Sequence, residues 1–170
     1  MTAWLKRLPI AHRGLHNSQA PENSLAAFQR AVEAGYGIEL DVQLSADGHV
    51  VVFHDYNLKR MTGLDREVKD LDWPQLKELQ LAGTDEGIPL FKDVLALVRG
   101  RTPLLIEIKN DGKTGRLEKT VIEELRGYAG EFAIQSFNPF VLLYFRKHAP
   151  GIVRGQLSGP FKGQNLSLIK

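Results

Sequence analysis

Two stretches of the chain set apolar residues on one face against polar residues on the other, the second with one apolar exception, Leu105. In the first, Ile38, Leu40, Val42 and Leu44 fall on one face, and Glu39, Asp41 and Gln43 on the other. In the second, Leu104, Ile106 and Ile108 share one face, and Leu105, Glu107 and Lys109 share the other. Each reads as a strand with one apolar face and one face that carries charge near its carboxyl end. After the first strand, Asp47-Gly48 offers a tight turn, because Gly tolerates the positive φ of two-residue hairpin loops. Val50 to Phe53 returns as the second arm and ends in His54-Asp55. A two-residue loop would set Asp41 opposite His54. A slip of one residue would turn the two sets to opposite faces.

The remaining pattern places these strands in a larger alternation. Leu8 to Gly14 reads as a short strand running into a turn, with His12 and Arg13 at its carboxyl end. Asn23 is a good helix cap, and Leu25, Phe28 and Val32 repeat at helical spacing up to Gly35. Strand, helix, strand is the opening of a parallel βαβ unit. Residues 56–89 break the rhythm and read as an insertion in the loop after the hairpin, with one short helix capped by Asp72. Helices are expected over 90–98, 116–128 and 139–148, and strands over 132–136 and 152–157. The tail, 158–170, is rich in Gly, Ser and Asn and shows no periodicity.

Strands alternating with helices predict an α/β fold with a parallel sheet and helices outside it. Polar residues gather at the carboxyl ends of different strands: His12 and Arg13, Glu39 and Asp41, Glu107 and Lys109. That is the pattern of a (β/α) barrel mouth. A doubly wound open sheet also binds ligands at strand carboxyl ends. However, no Gly-x-Gly-x-x-Gly or phosphate-loop pattern follows a strand here.

Composition narrows the partners. At 170 residues the chain is expected to be one domain, 1–170, and its 43% hydrophobic and 25% charged residues are ordinary for a globular protein. No run approaches the roughly 18 apolar residues of a membrane span. The first ten residues hold no signal-peptide core, and there is no cysteine, so a cytoplasmic location is expected. A net charge of +2 without a Lys/Arg block argues against nucleic acid as a partner.

Three carboxylates in one mouth raise one another's pKa unless cations intervene. Glu39, Asp41 and Glu107 are an oxygen-only donor set, suited to a hard divalent ion such as Mg²⁺ or Ca²⁺. Arg13 and Lys109 add fixed positive charge, so that metal and cations together make a cradle for a phosphodiester. His12 and His54 titrate near neutrality and suit an acid–base pair. The alternative is that Glu39 and Glu107 simply pair with Arg13 and Lys109, with no metal. His16, His49 and His148 read as surface or turn residues. Glu22 reads as a complement to the first helix's N-terminus, and Phe137 and Trp73 as packing residues.

His12-Arg13-Gly14, Pro21-Glu22-Asn23-Ser24, Glu39-Leu-Asp41, His54-Asp55 and Glu107-Ile-Lys109 resemble, in order and spacing, the motifs of the glycerophosphodiester phosphodiesterases. The resemblance spans about residues 8–157, with Ser24 where the family more often has Thr. It implies a TIM-barrel hydrolase that cleaves substrates such as glycerophosphocholine or glycerophosphoethanolamine to glycerol 3-phosphate and an alcohol. It also implies Glu39, Asp41 and Glu107 as ligands of one divalent ion, His12 and His54 as acid and base, and Arg13 and Lys109 as phosphate holders. The absence of a signal sequence is similar to the short cytoplasmic bacterial members.

A TIM barrel typically takes roughly 250 residues and eight strands. Only about six strands can be counted here, so the barrel is expected to be incomplete at its C-terminal side and open to self-association there. Two further readings stay open. One is a lysophospholipase D-like enzyme, which would want apolar surface near the mouth, with Leu71, Trp73, Leu76 and Leu79 of the insertion as candidates. The other is an inactive, incomplete barrel that binds a phosphate ligand or a partner.

Overall fold

A computed structural model describes residues 3–110 and 112–159. The elements in chain order are α1 (Trp4–Arg7), β1 (Ile10–Ala11), α2 (Leu25–Glu33), β2 (Gly37–Leu44), β3 (Val50–Val52), α3 (Lys59–Thr62), α4 (Trp73–Leu76), α5 (Phe91–Val98), β4 (Leu104–Ile108), α6 (Arg116–Leu125), β5 (Phe132–Ser136), α7 (Pro139–His148) and β6 (Arg154–Gln156). A single 3₁₀ turn, Val68–Asp70, lies between α3 and α4.

The sheet runs β1-β2-β4-β5-β6, all parallel, and β3 pairs antiparallel with β2. Val42 pairs with Val52 and also with Ile108, so β3 and β4 lie on opposite edges of β2. β1 and β3 therefore divide one edge of β2 between them. The described strands form the wall of a (β/α) barrel that is open between β1 and β6. No helix is long and apolar enough to cross a membrane among the described residues.

Alternation sorts the faces. Ile38, Leu40, Val42, Ile106 and Ile108 pack outward against helix residues Phe28, Phe91, Val94, Val121 and Phe145 in one continuous core. Glu39, Asp41 and Gln43 point the other way, into the barrel, yet all three are buried. A second, smaller cluster sits beside the first. Phe53, Leu58, Met61, Val68, Leu76 and Leu81 of the stretch after the hairpin pack together, with Trp73 and Leu79 against them. Burying an aliphatic or aromatic side chain contributes roughly 1.5–3 kcal/mol, and this turn-rich stretch folds around these side chains.

Several local expectations change. The hairpin loop is three residues, Ala46 to Gly48, closed by Ser45 N donating to His49 O (2.9 Å) and Gly48 N to Ser45 O (3.1 Å). Gly48 takes φ 96°, the left-handed residue of such a loop. Leu44 therefore faces Val50, and Phe53 N donates to Asp41 O (3.0 Å). Asp41 does not lie opposite His54. Ser24, not Asn23, caps α2, its Oγ accepting from Ala27 N (3.1 Å). The first strand is only two residues long, and α1 precedes it without a clear signal in the pattern.

Candidate active site

The centre of the site follows from sheet register. β2 and β4 pair in parallel with Asp41 beside Glu107, and paired residues on neighbouring strands point to the same face. Glu39 lies one step earlier on that face. The three carboxylates are 5%, 1% and 8% exposed, and each offers an oxygen within 4.8 Å of the others. Ca²⁺ and Mg²⁺ hold oxygens at about 2.0–2.6 Å, so ligands around one ion lie at such separations.

The polar contacts at these acids leave room for a cation. Asp41 Oδ1 is buried without a hydrogen-bond partner. Lys109 Nζ stands 3.8 Å from it and 3.2 Å from Glu107, close enough for charge but not to donate to Asp41. Burial, followed by the Asp41 charge, pushes the Glu39 carboxyl up to about 8, partly offset by Arg13 N–H donating to Oε2 (2.9 Å). An orphaned buried oxygen beside a carboxyl pushed toward its neutral form fits a divalent ion. Plain ion pairs fit less well, because Glu39 accepts from a backbone amide and not from a side-chain cation.

The loop after β1 supplies the next residues. Arg13 adopts φ 57° and Gly14 φ 81°, and a Cβ at Gly14 would sit 2.9 Å from that of Ala27. This left-handed turn aims the Arg13 amide at Glu39. Arg13 Nε lies 3.7 Å from Asp41, and Nη1 donates to Glu22 (2.9 Å). Asn23, also left-handed at φ 58°, clamps Asp41: its Nδ2 donates to Oδ2 (2.9 Å) and its Oδ1 accepts from the Asp41 amide (3.4 Å). Left-handed non-glycine residues of this kind concentrate at functional sites. His12 Nε2 is 4.0 Å from Glu39. Partial desolvation, then the adjacent Arg13, lowers the His12 pKa.

His54 arrives from the other side, past the end of β3, where strand alternation no longer sets direction. Gln43 Nε2 reaches three successive carbonyls there, Phe53 (2.8 Å), His54 (3.3 Å) and Asp55 (2.8 Å). The ring is held by Asp55, whose Oδ1 is 2.5 Å from Nδ1. His54 is near enough to His12 for its charge to act there. Arg60 of α3 then bonds both Asp55 and Glu22. Against desolvation, which acts the other way, hydrogen bonds from Arg60 and His54 hold Asp55 at about 2. Hydrogen bonds from Arg60 and Arg13 likewise lower Glu22 despite its partial burial.

The structure thus brings together His12, Arg13, Glu39, Asp41, His54, Glu107 and Lys109. Gln43, Asn23, Glu22, Asp55 and Arg60 are the supporting residues; the sequence pattern gave the first four other places or no partner and gave no sign of Arg60. Glu22 does not serve the start of α2: it joins Arg13 to Arg60. Asp55 next to His54 was the one available signal for a histidine partner. Phe137 is not a packing residue. It is 54% exposed and lines a cleft of about 500 Å³ with Glu107, Lys109 and Ser136. Leu71 and Leu76 are buried in the smaller cluster and offer no apolar surface to a ligand.

Residues 12–162 match the glycerophosphoryl diester phosphodiesterase family. A glycerophosphodiester phosphodiesterase of Caldanaerobacter subterraneus is 39% identical over 166 residues, covering 90% of this chain and 67% of the relative. Lysophospholipase D GDPD1 of Homo sapiens is 37% identical over 135 residues, covering 72% and 42%. Among solved structures, an Oleispira antarctica phosphodiesterase in complex with the product sn-glycerol-3-phosphate superposes with a TM-score of 0.82 at 32% identity, covering 89% of this chain and 67% of that one. A glycerophosphodiester phosphodiesterase from Thermotoga maritima gives 0.76 at 35%, covering 89% and 62%. The chain spans about two thirds of the length of three of these proteins and 42% of the human one.

Proposed function

This chain belongs to the glycerophosphoryl diester phosphodiesterase family, and on that premise we propose that it hydrolyses glycerophosphodiesters such as glycerophosphocholine or glycerophosphoethanolamine to glycerol 3-phosphate and an alcohol. The observation that carries the reading is the buried Glu39–Asp41–Glu107 cluster, with its orphaned Asp41 oxygen, between the Arg13 and Lys109 cations. Glu39, Asp41 and Glu107 would hold one Mg²⁺ or Ca²⁺, which when bound supplies the charge that lowers the pKa of a substrate hydroxyl.

In such a substrate a glycerol hydroxyl lies next to the phosphodiester. One histidine accepts its proton as the oxygen attacks phosphorus in line, and the other donates a proton to the departing alcohol. A cyclic phosphate results. Water then opens it with the two histidine roles exchanged, giving glycerol 3-phosphate. Arg13 and Lys109 offset charge on the phosphoryl oxygens throughout. Asp55 fixes the proton on His54 Nδ1, so that Nε2 faces the reaction. His12 and His54 come from different elements, which suits opposite sides of one phosphate.

Release of choline or ethanolamine by the full chain with Mg²⁺ or Ca²⁺ tests the reaction, and no turnover with either ion would refute it. A substrate lacking the adjacent hydroxyl tests the route: hydrolysis at the normal rate would mean direct attack by water. The same proposal includes a cytoplasmic location, checked by fractionation, and self-association across the open side of the sheet, checked by sedimentation.

A second reading has a specific observation behind it. Phe137 and Phe140 are 54% and 65% exposed, and Phe137 borders the cleft beside Glu107 and Lys109. That apolar rim suits a lysolipid chain, so lysophosphatidylcholine belongs in the assay as a competing substrate.

A further inference from the structure

From the segment that carries the smaller cluster, the Arg60 side chain reaches two carboxylates at the mouth. Its Nε donates to Asp55 Oδ2 (2.6 Å) and its Nη2 to Asp55 Oδ1 (3.2 Å). Its Nη2 also donates to Glu22 Oε1 (2.5 Å) and its Nη1 to Glu22 Oε2 (3.1 Å). Asp55 holds the His54 ring, and Glu22 holds the Arg13 guanidinium. The result is an unbroken row, His54–Asp55–Arg60–Glu22–Arg13, in which carboxylate and guanidinium alternate. Its two ends are an acid–base group and a phosphate holder from different parts of the chain.

We propose that Arg60 is a positioning residue that fixes where His54 stands relative to Arg13, and so registers the acid–base group against the phosphate clamp. The inference rests on the roles given above to His54 and Arg13.

Three observations carry it. First, the His54 ring lies beyond β3, so no ladder directs it. Gln43 holds the backbone carbonyls of residues 53–55 but makes no bond to the ring. The ring depends on Asp55, and Asp55 is held by Arg60. Second, Arg13 sits in a left-handed turn, and its Nε makes no hydrogen bond. Among the described residues, the one hydrogen bond that fixes its side chain goes to Glu22, which Arg60 holds by both oxygens. Third, the chemistry needs a planar fork. Only a guanidinium presents donors to two carboxylates on different sides at fixed angles, whereas an ammonium acts as a point charge. The Arg60 side chain is 47% exposed, so water screens the charge and its worth to stability is small. Geometry is what it contributes.

The test uses the full chain, with two readouts. Proton–nitrogen NMR of the imidazoles in the metal-free protein reports which nitrogen of neutral His54 carries its proton. The wild type should show a single Nδ1–H tautomer. Arg60→Ala should give a mixture of tautomers, and Arg60→Lys an intermediate result. Turnover should follow the same order, with Arg60→Ala lowering kcat about 10- to 100-fold, since a misplacement of about 1 Å can cost on the order of 10². Calcium or magnesium affinity, measured by calorimetry, should not change. If Arg60→Ala does not fold, Arg60→Gln removes the fork with a smaller loss of packing and is read in the same way. An unchanged tautomer in the folded variant overturns the proposal, even if turnover falls, because the effect would then not pass through His54. If the wild type turns over no glycerophosphodiester, the functional reading fails, while the tautomer still decides the positioning role.

Discussion

The two sides of the mouth are built by opposite means. On one side, Glu39, Asp41 and Glu107 ride on β2 and β4, adjacent central strands whose register and pleat fix their side chains, and Lys109 follows directly on β4. On the other, His54 stands on an irregular segment and is fixed by Gln43, Asp55 and Arg60 through hydrogen bonds. The first side has the main core behind it, the second the smaller cluster. A ladder places groups without asking anything of their chemistry, so it can afford to hold three like charges together. A loop can place a group only by giving it a partner. The loop side is therefore crowded with paired charges, and the strand side is left with an orphaned oxygen and a carboxyl raised to about 8.

The contrast can be broken most directly from the strand side. Asp41→Asn removes the charge of the most buried of the three carboxylates and, on the proposed metal site, should abolish both divalent-ion binding in calorimetry and turnover. Retention of either would show that the strand cluster is not the metal site. Next in size, His54→Ala and His12→Ala should each lower kcat by about 10²–10⁴, the usual range for a general acid or base, while metal binding survives. Loss of metal binding in His54→Ala would mean that the two sides are not separable.

The supporting cores should separate as well. Leu40→Ala in the main core and Leu76→Ala in the smaller one each remove a fully buried side chain, at a cost of about 2–5 kcal/mol. Hydrogen exchange should show the Leu76→Ala effect confined to residues 53–90, with kcat lowered and metal affinity kept. The Leu40→Ala effect should spread through β2 and β4. Equal loss of protection throughout the chain in both variants would mean one cooperative unit, not two.

The smallest effect is in pH. With Glu39 raised to about 8, a cation must displace its proton at neutral pH, so affinity should rise by up to about tenfold per pH unit and level off above about 8. Stability of the metal-free chain should move in the opposite sense. The folded pKa lies above the unfolded value, so the Glu39 contribution is fully present below the usual glutamate range and is lost as pH rises through about 8. A melting temperature for the metal-free chain that climbs between pH 6 and 8.5 would contradict the assignment.

The strand side was legible because period-two alternation is written directly in residue order. Glu39, Asp41, Glu107 and Lys109 could be read onto one face before any coordinates, and β2 and β4 lie where the pattern put them. The hairpin shows the limit of that reading. Asp47-Gly48 marked a turn, but one residue more in the loop moved Asp41 from His54 to Phe53. His54 still reaches the mouth, by a route that alternation does not describe.

What the sequence determined by itself was the α/β alternation, the acid faces of two strands and the set of residues at strand ends, because these depend on local periodicity and residue chemistry. The tertiary structure alone decided that Asp41 lies beside Glu107, that Asn23 clamps Asp41 while Ser24 caps the helix, and that Glu22 and Arg60, 38 positions apart, share two hydrogen bonds. The physical reason is separation along the chain. Register between parallel strands and ion pairs between distant loops are fixed when the helices and the small second core pack, and nothing in the neighbouring sequence of Arg60 says which carboxylates that packing will bring to it.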